Sequence, residues 1–299
     1  MIGYLILVHR YPEQFKRLFE AVYDPANHYV VHVDQNSGPE LEQQIRDLLV
    51  PYANAAVIES RRALWGGYSL IDAELRGMKR LLEMSDDWSV FINLSGQDFP
   101  LKSQADIKAF LARHPGQEFI RAVDQKKVRP ETMNRVRNLV FERPRGIVRT
   151  LLRRPFLRGA TPYIGNQWMM VSRRFCEFVC HDKGADRFKA FYRHTFIADE
   201  GFFQTVMKNT EVHGPMINDD MRMIDWIPDG DIKLRPRTYT IADTAALKAS
   251  PSLFARKFDQ ETCSEVLPML ERWITAPSVA IRRVATPDIQ RIGAGVIAA

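Results

Sequence analysis

The fold of this chain is decided by residues 4–34, which read YLILVHRYPEQFKRLFEAVYDPANHYVVHVD. Residues 4–8 predict a buried strand, residues 12–22 predict a helix, and residues 29–34 predict a second strand. A strand, a helix and a strand in this order are typical of a parallel sheet with crossover helices.

The same alternation continues toward residue 123. Predicted helices cover residues 39–49, 69–84 and 103–113, and predicted strands cover residues 55–58, 89–94 and 118–123. The order predicts an α/β fold with a mostly parallel central sheet and flanking helices. Right-handed crossovers place the carboxyl ends of such strands along one edge, where open α/β sheets bind their ligands.

Polar residues stand at two of these strand ends. Asp34 closes the strand over residues 29–34, and the segment SGQDFP, residues 95–100, closes the strand over residues 89–94. Each is a place for a nucleotide, and each also has the composition of an ordinary polar turn.

A pair of acids marks the later part of the chain, in the segment IADEGFFQTVM, residues 197–207. Asp199 and Glu200 stand at the start of a predicted helix, where the positive end of the helix dipole favours an ionised carboxylate suited to general-base chemistry. We expect Asp199 to cap the helix and Glu200 to face a cleft. The alternative is that both acids are simply first-turn caps.

The formal net charge is +6 and the isoelectric point is near 9.2, and the excess positive charge is concentrated in residues 121–158. Apolar residues such as Leu139, Ile147, Leu151 and Leu152 interleave with the arginines there. The pattern predicts either a basic amphipathic surface that meets anionic lipid or an arginine-rich insertion packed on the domain. Zinc-finger, RRM and basic-heptad signatures are missing from this segment, so nucleic acid is not an expected partner.

Compartment is indicated by two features. The first residues read as a buried strand rather than a signal peptide, and no run reaches the ~20 apolar residues of a membrane-spanning helix. The three cysteines lack the spacing of a zinc site. We expect a cytoplasmic protein, with peripheral contact to the inner membrane through its basic segment.

Several motifs, in this order, resemble those of one known family. They are VHVDQNS (residues 31–37), WGGYS (65–69), NLSGQDFPLK (93–102), the acids at 199–200, Trp226 and LFARKF (253–258). Across residues 3–259 the chain is similar to the core 2/I-branching β-1,6-N-acetylglucosaminyltransferase and peptide O-xylosyltransferase family, glycosyltransferase family fourteen.

The resemblance implies a GT-A-type Rossmann-like fold, a UDP-sugar donor, and inversion at the anomeric carbon without a metal or other cofactor. It makes Glu200 the catalytic base and Lys257 a contact to the donor diphosphate. The arginine partner of Lys257 is either Arg235 or Arg237, because the match across residues 234–239 allows both.

The remaining site residues are divided between donor and acceptor. The resemblance places four residues near the nucleotide: His9, Asp34, Trp65 and Tyr68. Trp65 and Tyr68 fit a core role equally well. Asp98 is expected at the border between donor and acceptor, Asp199 beside the sugar, and Trp226 either stacked on an acceptor sugar or in the core.

We therefore predict one catalytic domain over residues 1–262, with an arginine-rich insertion at about 124–160, and a helical, basic tail over 263–299. The predicted function is transfer of a sugar, with GlcNAc favoured, from a UDP-sugar to a glycan or lipid-linked glycan in bacterial surface-polysaccharide assembly. Alternatives are xylose or another donor, a glycan-binding module without transferase activity, and a metal-dependent transferase using Asp229 and Asp231. The segment 228–230, Pro-Asp-Gly, also fits a plain turn.

Overall fold

The computed structural model describes residues 1–144, 146–229 and 233–276. Over these ranges the helices, in chain order, are Pro12–Val22 (α1), Pro39–Leu49 (α2), Ser69–Met84 (α3), Gln104–Arg113 (α4), Gln125–Val128 (α5), Asn134–Arg137 (α6), Arg173–His181 (α7), Asp186–Tyr192 (α8), Phe202–Lys208 (α9), Thr244–Ala249 (α10) and Val266–Thr275 (α11). The sequence predicted α1, α2 and α3 with these same bounds.

The strands of the described ranges are, in chain order, Ile2–Val8 (β1), His28–Val33 (β2), Ala55–Val57 (β3), Val90–Ser95 (β4), Asp98–Pro100 (β5), Glu118–Ile120 (β6), Val123–Asp124 (β7), Asn138–Arg143 (β8), Gly146–Arg153 (β9), Tyr163–Ile164 (β10), Met169–Ser172 (β11), Met216–Ile217 (β12), Arg222–Ile224 (β13), Trp226–Asp229 (β14), Lys233–Pro236 (β15) and Phe254–Arg256 (β16). The single strand predicted over residues 118–123 is divided between β6 and β7.

The central sheet has seven strands in the order β12-β6-β11-β4-β1-β2-β3. β4, β1, β2 and β3 are parallel to one another, whereas β11 runs antiparallel to both β4 and β6. The prediction of an α/β fold with a mostly parallel sheet is therefore confirmed.

Alternate residues of β1 feed two separate cores, because successive strand side chains point to opposite faces of a sheet. Tyr4 and Ile6 join a cluster with α1, α2 and α11, while Leu5 joins a cluster with α3, α7 and α9. The sheet is thus covered on both faces, as a parallel sheet requires. The helix of the predicted tail, α11, packs into the first of these cores; residues 277–299 lie outside the described ranges.

Four smaller sheets accompany the central sheet in the described ranges, and one of them is the pair of β7 and β10. β13, β16 and β5 form a three-stranded sheet, and β14 pairs with β15. The arginine-rich segment folds into the short helices α5 and α6 and an antiparallel hairpin of β8 and β9.

The helices in the described part of the chain are all too short or too polar to cross a membrane. The longest of them, α3, has 16 residues and buries only one of its faces.

Candidate active site

The carboxyl ends of β1, β2 and β4 meet at one edge of the sheet. The amide of Asp34 donates to the carbonyl of Val8 at 2.8 Å, and the amide of Gly96 donates to the carbonyl of Leu7 at 2.9 Å. The chain passes from β1 through α1 to β2 on one side of β1. It later passes from β3 through α3 to β4 on the other side of β1. A crevice outside such a switch point is the usual ligand site of open α/β sheets.

His9 and Asp34 both lie at this edge. Asp34 Oδ1 accepts hydrogen bonds from the amides of Asn36 and Ala63 at 3.0 and 3.2 Å, which ties the strand end to the loop before Trp65. The side chain of His9 is exposed, yet desolvation of its ring and the charges of Arg10 and Lys257 lower the pKa of His9 to about 4. The imidazole is therefore neutral at pH 7 and can exchange hydrogen bonds with a nucleotide.

The charges of Arg10, Arg256 and Lys257 act on His9, and the charge of Arg235 acts on Lys257; we call these four residues the cationic cluster. Lys257 is half-buried, and desolvation followed by the charges of Arg10 and Arg256 lowers the pKa of Lys257, with Arg235 adding to the effect. Like charges held together in a partly dry crevice create a strong positive potential. The cationic cluster is thus suited to a polyanion such as a diphosphate.

The two arginines left open by the sequence are separated by their contacts. Arg237 donates to Asp225 at 2.7 Å and to both oxygens of Asp243 at 2.9 and 3.0 Å. These carboxylates commit Arg237 to holding the loop after β15, whereas the charge of Arg235 acts on Lys257. Of the two arginines, Arg235 is the one whose charge adds to the positive potential around Lys257.

Asp98 does not face a sugar. Its side chain is fully buried, because β5 pairs with β16 in a register that sets Asp98 opposite Arg256. Asp98 Oδ1 accepts from Arg256 Nη1 at 2.7 Å, and Asp98 Oδ2 accepts from the amide of Ser95 at 3.0 Å. Asp98 therefore holds the cationic cluster and its loop in place, and its expected position at the donor–acceptor border is corrected to a supporting one.

The predicted base occupies a strained turn over residues 197–201. Ile197 has φ 51°, a left-handed conformation that is unfavourable for a β-branched residue by about 1–3 kcal/mol. The turn is held because the amide of Ile197 donates to the carbonyl of Gly66 at 2.9 Å, and the carbonyl of Glu200 accepts from the amide of Gly165 at 2.8 Å. We call residues 197–201 the Glu200 turn.

The carboxylate of Glu200 is partly exposed, at 30%, and Glu200 Oε2 accepts from Arg135 Nη1 at 2.7 Å. Arg135 comes from α6, at the start of the arginine-rich segment. The ion pair fixes the orientation of the carboxylate while part of it stays accessible from solvent, as a general base needs.

Asp199 does not cap the following helix. α9 begins after Gly201 and has no side-chain cap, and the side chain of Asp199 is buried beneath the Glu200 turn. Burial and the charge of Glu200 raise the pKa of Asp199 to about 7. The expected cap is replaced by a buried acid because residues 198–200 form a 3-10 turn that directs Asp199 inward.

The three aromatic candidates differ in their exposure and in their surroundings. Trp65 is 59% exposed and meets the ring of Phe196 edge-on, next to the Glu200 turn. Tyr68 packs against the second core beneath the ring contact of Arg193, which favours its core alternative. Trp226 is 39% exposed at the start of β14, on the same hairpin as Arg235.

A surface groove of about 260 Å³ lies beside Trp65. Leu64, Trp65 and Phe196 form one side, and Gly146, Ile147 and Arg149 of β9 form the other. The guanidinium of Arg149 stacks on the ring of Phe196 at 3.7 Å. The groove therefore joins an exposed aromatic ring and a cation directly ahead of the Glu200 turn.

A buried polar network connects the cationic cluster with the elements around the Glu200 turn. From Asp98 it passes to Arg222, whose Nε lies 3.9 Å from Asp98 Oδ2 and whose Nη2 donates to the carbonyl of Asn93. Asn93 Nδ2 donates in turn to Glu74 Oε1 at 2.7 Å, and α3, which carries Glu74, packs against the Glu200 turn. Hydrogen-bonded chains of this kind hold two parts of a site at a constant separation.

Several residues of this arrangement were not among the predicted site residues: Arg10, Arg135, Glu74, Arg222 and Arg256. Arg10 had a readable signal, since it follows β1 directly at the ligand edge. Arg135 and Glu74 had none, because their partners lie 65 and 19 residues away in the chain.

The metal alternative falls mostly outside the described part of the chain. Gly230 and Asp231 lie outside the described residues, and so does the side chain of Asp229. Over residues 1–144, 146–229 and 233–276, no three histidine, cysteine or acidic side chains come together as a metal site would need.

Fold and site together define an open α/β domain with a cationic cluster and a carboxylate that is oriented by an arginine. Residues 2–250 match the family described as core-2/I-branching enzyme. The chain belongs to the core-2/I-branching enzyme family, and its α/β fold agrees with the GT-A-type architecture that the resemblance implied.

Xylosyltransferases are among the similar proteins. The chain is 30% identical over 301 residues to xylosyltransferase 1 of Homo sapiens, covering 91% of this chain and 30% of that protein. It is 30% identical to xylosyltransferase 2 of Mus musculus, covering 90% and 33%. The chain thus spans about a third of the length of these relatives. Among solved structures, mouse xyloside xylosyltransferase 1 aligns with a TM-score of 0.38 at 12% identity, covering 85% of this chain and 97% of that one.

Proposed function

We propose that this chain is an inverting, metal-independent glycosyltransferase that moves a sugar from a UDP-sugar to a hydroxyl of a glycan. The observation that carries the proposal is the buried network between the cationic cluster and the elements that support Glu200. A diphosphate-binding cluster and a base at one sheet edge are the two groups that a single displacement requires. Membership of the core-2/I-branching enzyme family supports the same reaction class.

In the proposed reaction the acceptor oxygen attacks the anomeric carbon from the face opposite UDP. The carbon–oxygen bond to UDP breaks, the cationic cluster takes up the charge that develops on the diphosphate, and Glu200 accepts the acceptor proton. General-base assistance is typically worth ~10²–10⁴-fold in rate. Losing one fixed cation at a developing charge typically costs ~3–4 kcal/mol. The sugar configuration inverts because there is one displacement only.

The proposed role of Arg135 is to orient Glu200. With one carboxylate oxygen held at 2.7 Å by Arg135, the other is left to receive the proton. A charge-assisted hydrogen bond of this length restricts the rotation of the carboxylate.

The groove between Trp65 and β9 is the proposed acceptor site. Sugar faces stack on exposed aromatic rings, and Trp65 is the most exposed tryptophan of the described residues. Arg149 at the groove wall adds a cation, so an acceptor with a nearby acidic group would be favoured.

Two donor sugars are proposed. The family that the chain resembles favours GlcNAc as the donor, whereas the relatives described above are named xylosyltransferases, which supports UDP-xylose. We propose that the donor is one of these two, to be decided by direct competition.

The proposed setting is glycan or surface-polysaccharide assembly in a bacterial cytoplasm, on a lipid-linked acceptor at the inner membrane. The support is β9, where Val148, Leu151 and Leu152 are 50%, 96% and 63% exposed among arginines. Exposed leucines beside arginines suit the interface of an anionic bilayer.

Liposome flotation tests the membrane proposal. With anionic vesicles the protein should float, and with neutral vesicles it should stay behind. Leu151→Asp with Leu152→Asp should abolish flotation, whereas Val50→Asp, at the 79% exposed C-cap of α2, should not. Equal recovery of both variants would remove the proposal.

UDP release from a panel of UDP-sugars, with EDTA present, tests the transferase proposal. We expect turnover with one donor that survives EDTA, is lost in Glu200→Gln, and is kept in Glu177→Gln, an exposed acid paired with Arg173. Loss to EDTA would support a metal-dependent enzyme. Glycan binding without turnover of any donor would support the glycan-binding module.

A further inference from the structure

Glu74 is an acid buried completely inside the domain. It lies on α3, and Glu74 Oε1 accepts from Asn93 Nδ2 at 2.7 Å and from Gln167 Nε2 at 3.2 Å. Its other oxygen, Oε2, has no hydrogen-bond partner among the described residues. A buried oxygen without a donor is costly, so this atom needs an explanation.

The same is true of Asp199, on the inner side of the Glu200 turn. Asp199 is 6% exposed, and its Oδ1 has no hydrogen-bond partner in the part of the chain that the structure describes. The 3-10 turn Ala198–Glu200 packs against α3, and the charge of Asp199 acts on Glu74. The two packed elements therefore each carry a buried acid that has one oxygen without a hydrogen-bond partner among the described residues.

The surrounding charges do not compensate both acids. Arg222 from β13 is the cation that acts on Glu74, and Arg135 from α6 is the cation that acts on Asp199. Arg135 is already bonded to Glu200, whose charge further disfavours an ionised Asp199. Burial raises the pKa of Glu74 to about 8 and that of Asp199 to about 7. Ionisation of both acids is therefore disfavoured, because their like charges would repel each other in a dry interior.

We propose that Glu74 and Asp199 share a proton, and that Glu74 is a positioning residue which holds the Glu200 turn in its strained form through this hydrogen bond. One proton gives both unsatisfied oxygens a partner, as it does in paired carboxyl groups of other proteins. The catalytic consequence rests on the proposed function, in which Glu200 is the base; the shared proton itself does not.

The proposed shared proton makes the Glu200 turn sensitive to pH. At neutral and lower pH the proton is present and the turn is held. As the pH rises past the pKa values of the pair, both acids ionise, their repulsion separates α3 from the turn, and Glu200 loses its orientation. A turn already strained at Ile197 has little resistance to such a push.

The test is infrared spectroscopy of the carboxyl groups as a function of pH, on the whole chain. Wild-type protein should show a protonated carboxyl band at about pH 6 that disappears by about pH 9. In Glu74→Gln the band should titrate at least about one pH unit lower, because Asp199 no longer faces a second carboxylate. In Asp199→Asn the band that remains should shift in the same direction.

Glu83→Gln is the matched control, since Glu83 is an exposed acid of the same helix, 3.7 Å from Arg80. Its spectrum should follow the wild type. A wild type without a protonated band at about pH 6, or a band that titrates alike in Glu74→Gln and Glu83→Gln, overturns the shared proton. Because two variants approach the pair from opposite sides, failure of one to fold leaves the other to decide.

The positioning role is tested by the pH profile of kcat with the donor that the wild type uses. Glu74→Gln should lower kcat about tenfold with a donor KM within about twofold, and should move the alkaline limb of the profile. A uniform loss with an unchanged profile would make Glu74 merely structural. If no UDP-sugar is turned over, the proposed function fails, and the infrared titration still decides the pair.

Discussion

The two halves of the site are built in different ways. The cationic cluster draws its members from the loop after β1, from β15 and from the end of β16. Its main support, the pair of Asp98 and Arg256, follows from the register of β5 and β16. The Glu200 turn is held instead by side chains and carbonyls from distant loops, among them Arg135, Gly66 and Gly165.

The difference teaches that the donor half is preformed by backbone pairing, whereas the base half depends on the packing of α3 and the arginine-rich segment. Changes in the donor half should therefore act on binding and on global stability. Changes in the base half should act on turnover and its pH dependence. Substitutions in each half test whether their effects separate in this way.

The largest effect is expected from Glu200→Gln. Removing the base should lower kcat by ~10²–10⁴-fold while the Kd of UDP changes little, because the cationic cluster is untouched. Lys257→Met should weaken UDP binding instead. Isothermal titration measures the affinity for UDP in both variants. Comparable losses of UDP affinity in the two variants would contradict the separation of the halves.

The next effect is on stability, from Asp98→Asn. Removing this charge leaves Arg222 and Arg256 without their buried partner, and breaking a buried ion pair costs ~3–5 kcal/mol. Urea unfolding should show this loss, whereas Asp86→Asn, at a side chain 94% exposed, should stay within about 0.5 kcal/mol of the wild type. A small loss in Asp98→Asn would mean that the donor half is not held by this pair.

A slightly smaller effect is expected from pH. The raised pKa of Glu74, about 8, means that the folded state keeps a proton which the unfolded chain loses near pH 4.5. Its stabilising contribution is therefore present at low pH and falls as the pH rises from about 5 to 8, by ~3 kcal/mol, with Asp199 adding in the same direction. Thermal unfolding of Glu74→Gln should show a flatter pH dependence than that of Glu83→Gln. Parallel curves would contradict the prediction.

The smallest effect separates the two arginines near Lys257. Arg235→Gln should weaken UDP binding about tenfold and reduce its salt dependence, since it removes one positive charge from the cationic cluster. Arg237→Gln should leave UDP affinity within about twofold and lower the melting temperature instead, because it breaks the contacts with Asp225 and Asp243. Equal effects on UDP affinity would place both in the diphosphate site.

Much of the fold was predictable because strands and helices leave local patterns. The apolar runs that became β1 and β2, and the helices α1, α2 and α3, were readable within a few residues of their ends. Candidate site residues could be read either from a strand end, as at His9 and Asp34, or from a motif, as at Glu200 and Lys257. Asp98 was located but misread, since a polar residue after a strand gives no indication of whether it turns toward solvent or toward a buried arginine.

The sequence by itself determined the α/β class, the family and the identity of the acid at position 200, because these depend on local periodicity and on motifs in order. Only the tertiary structure decided that Arg237 is bound by two carboxylates, that Asp199 is buried, and that the turn which carries Asp199 packs against α3. The physical reason is that burial and hydrogen-bond partners are set by residues far apart in the chain, and those contacts leave no periodic pattern in the sequence.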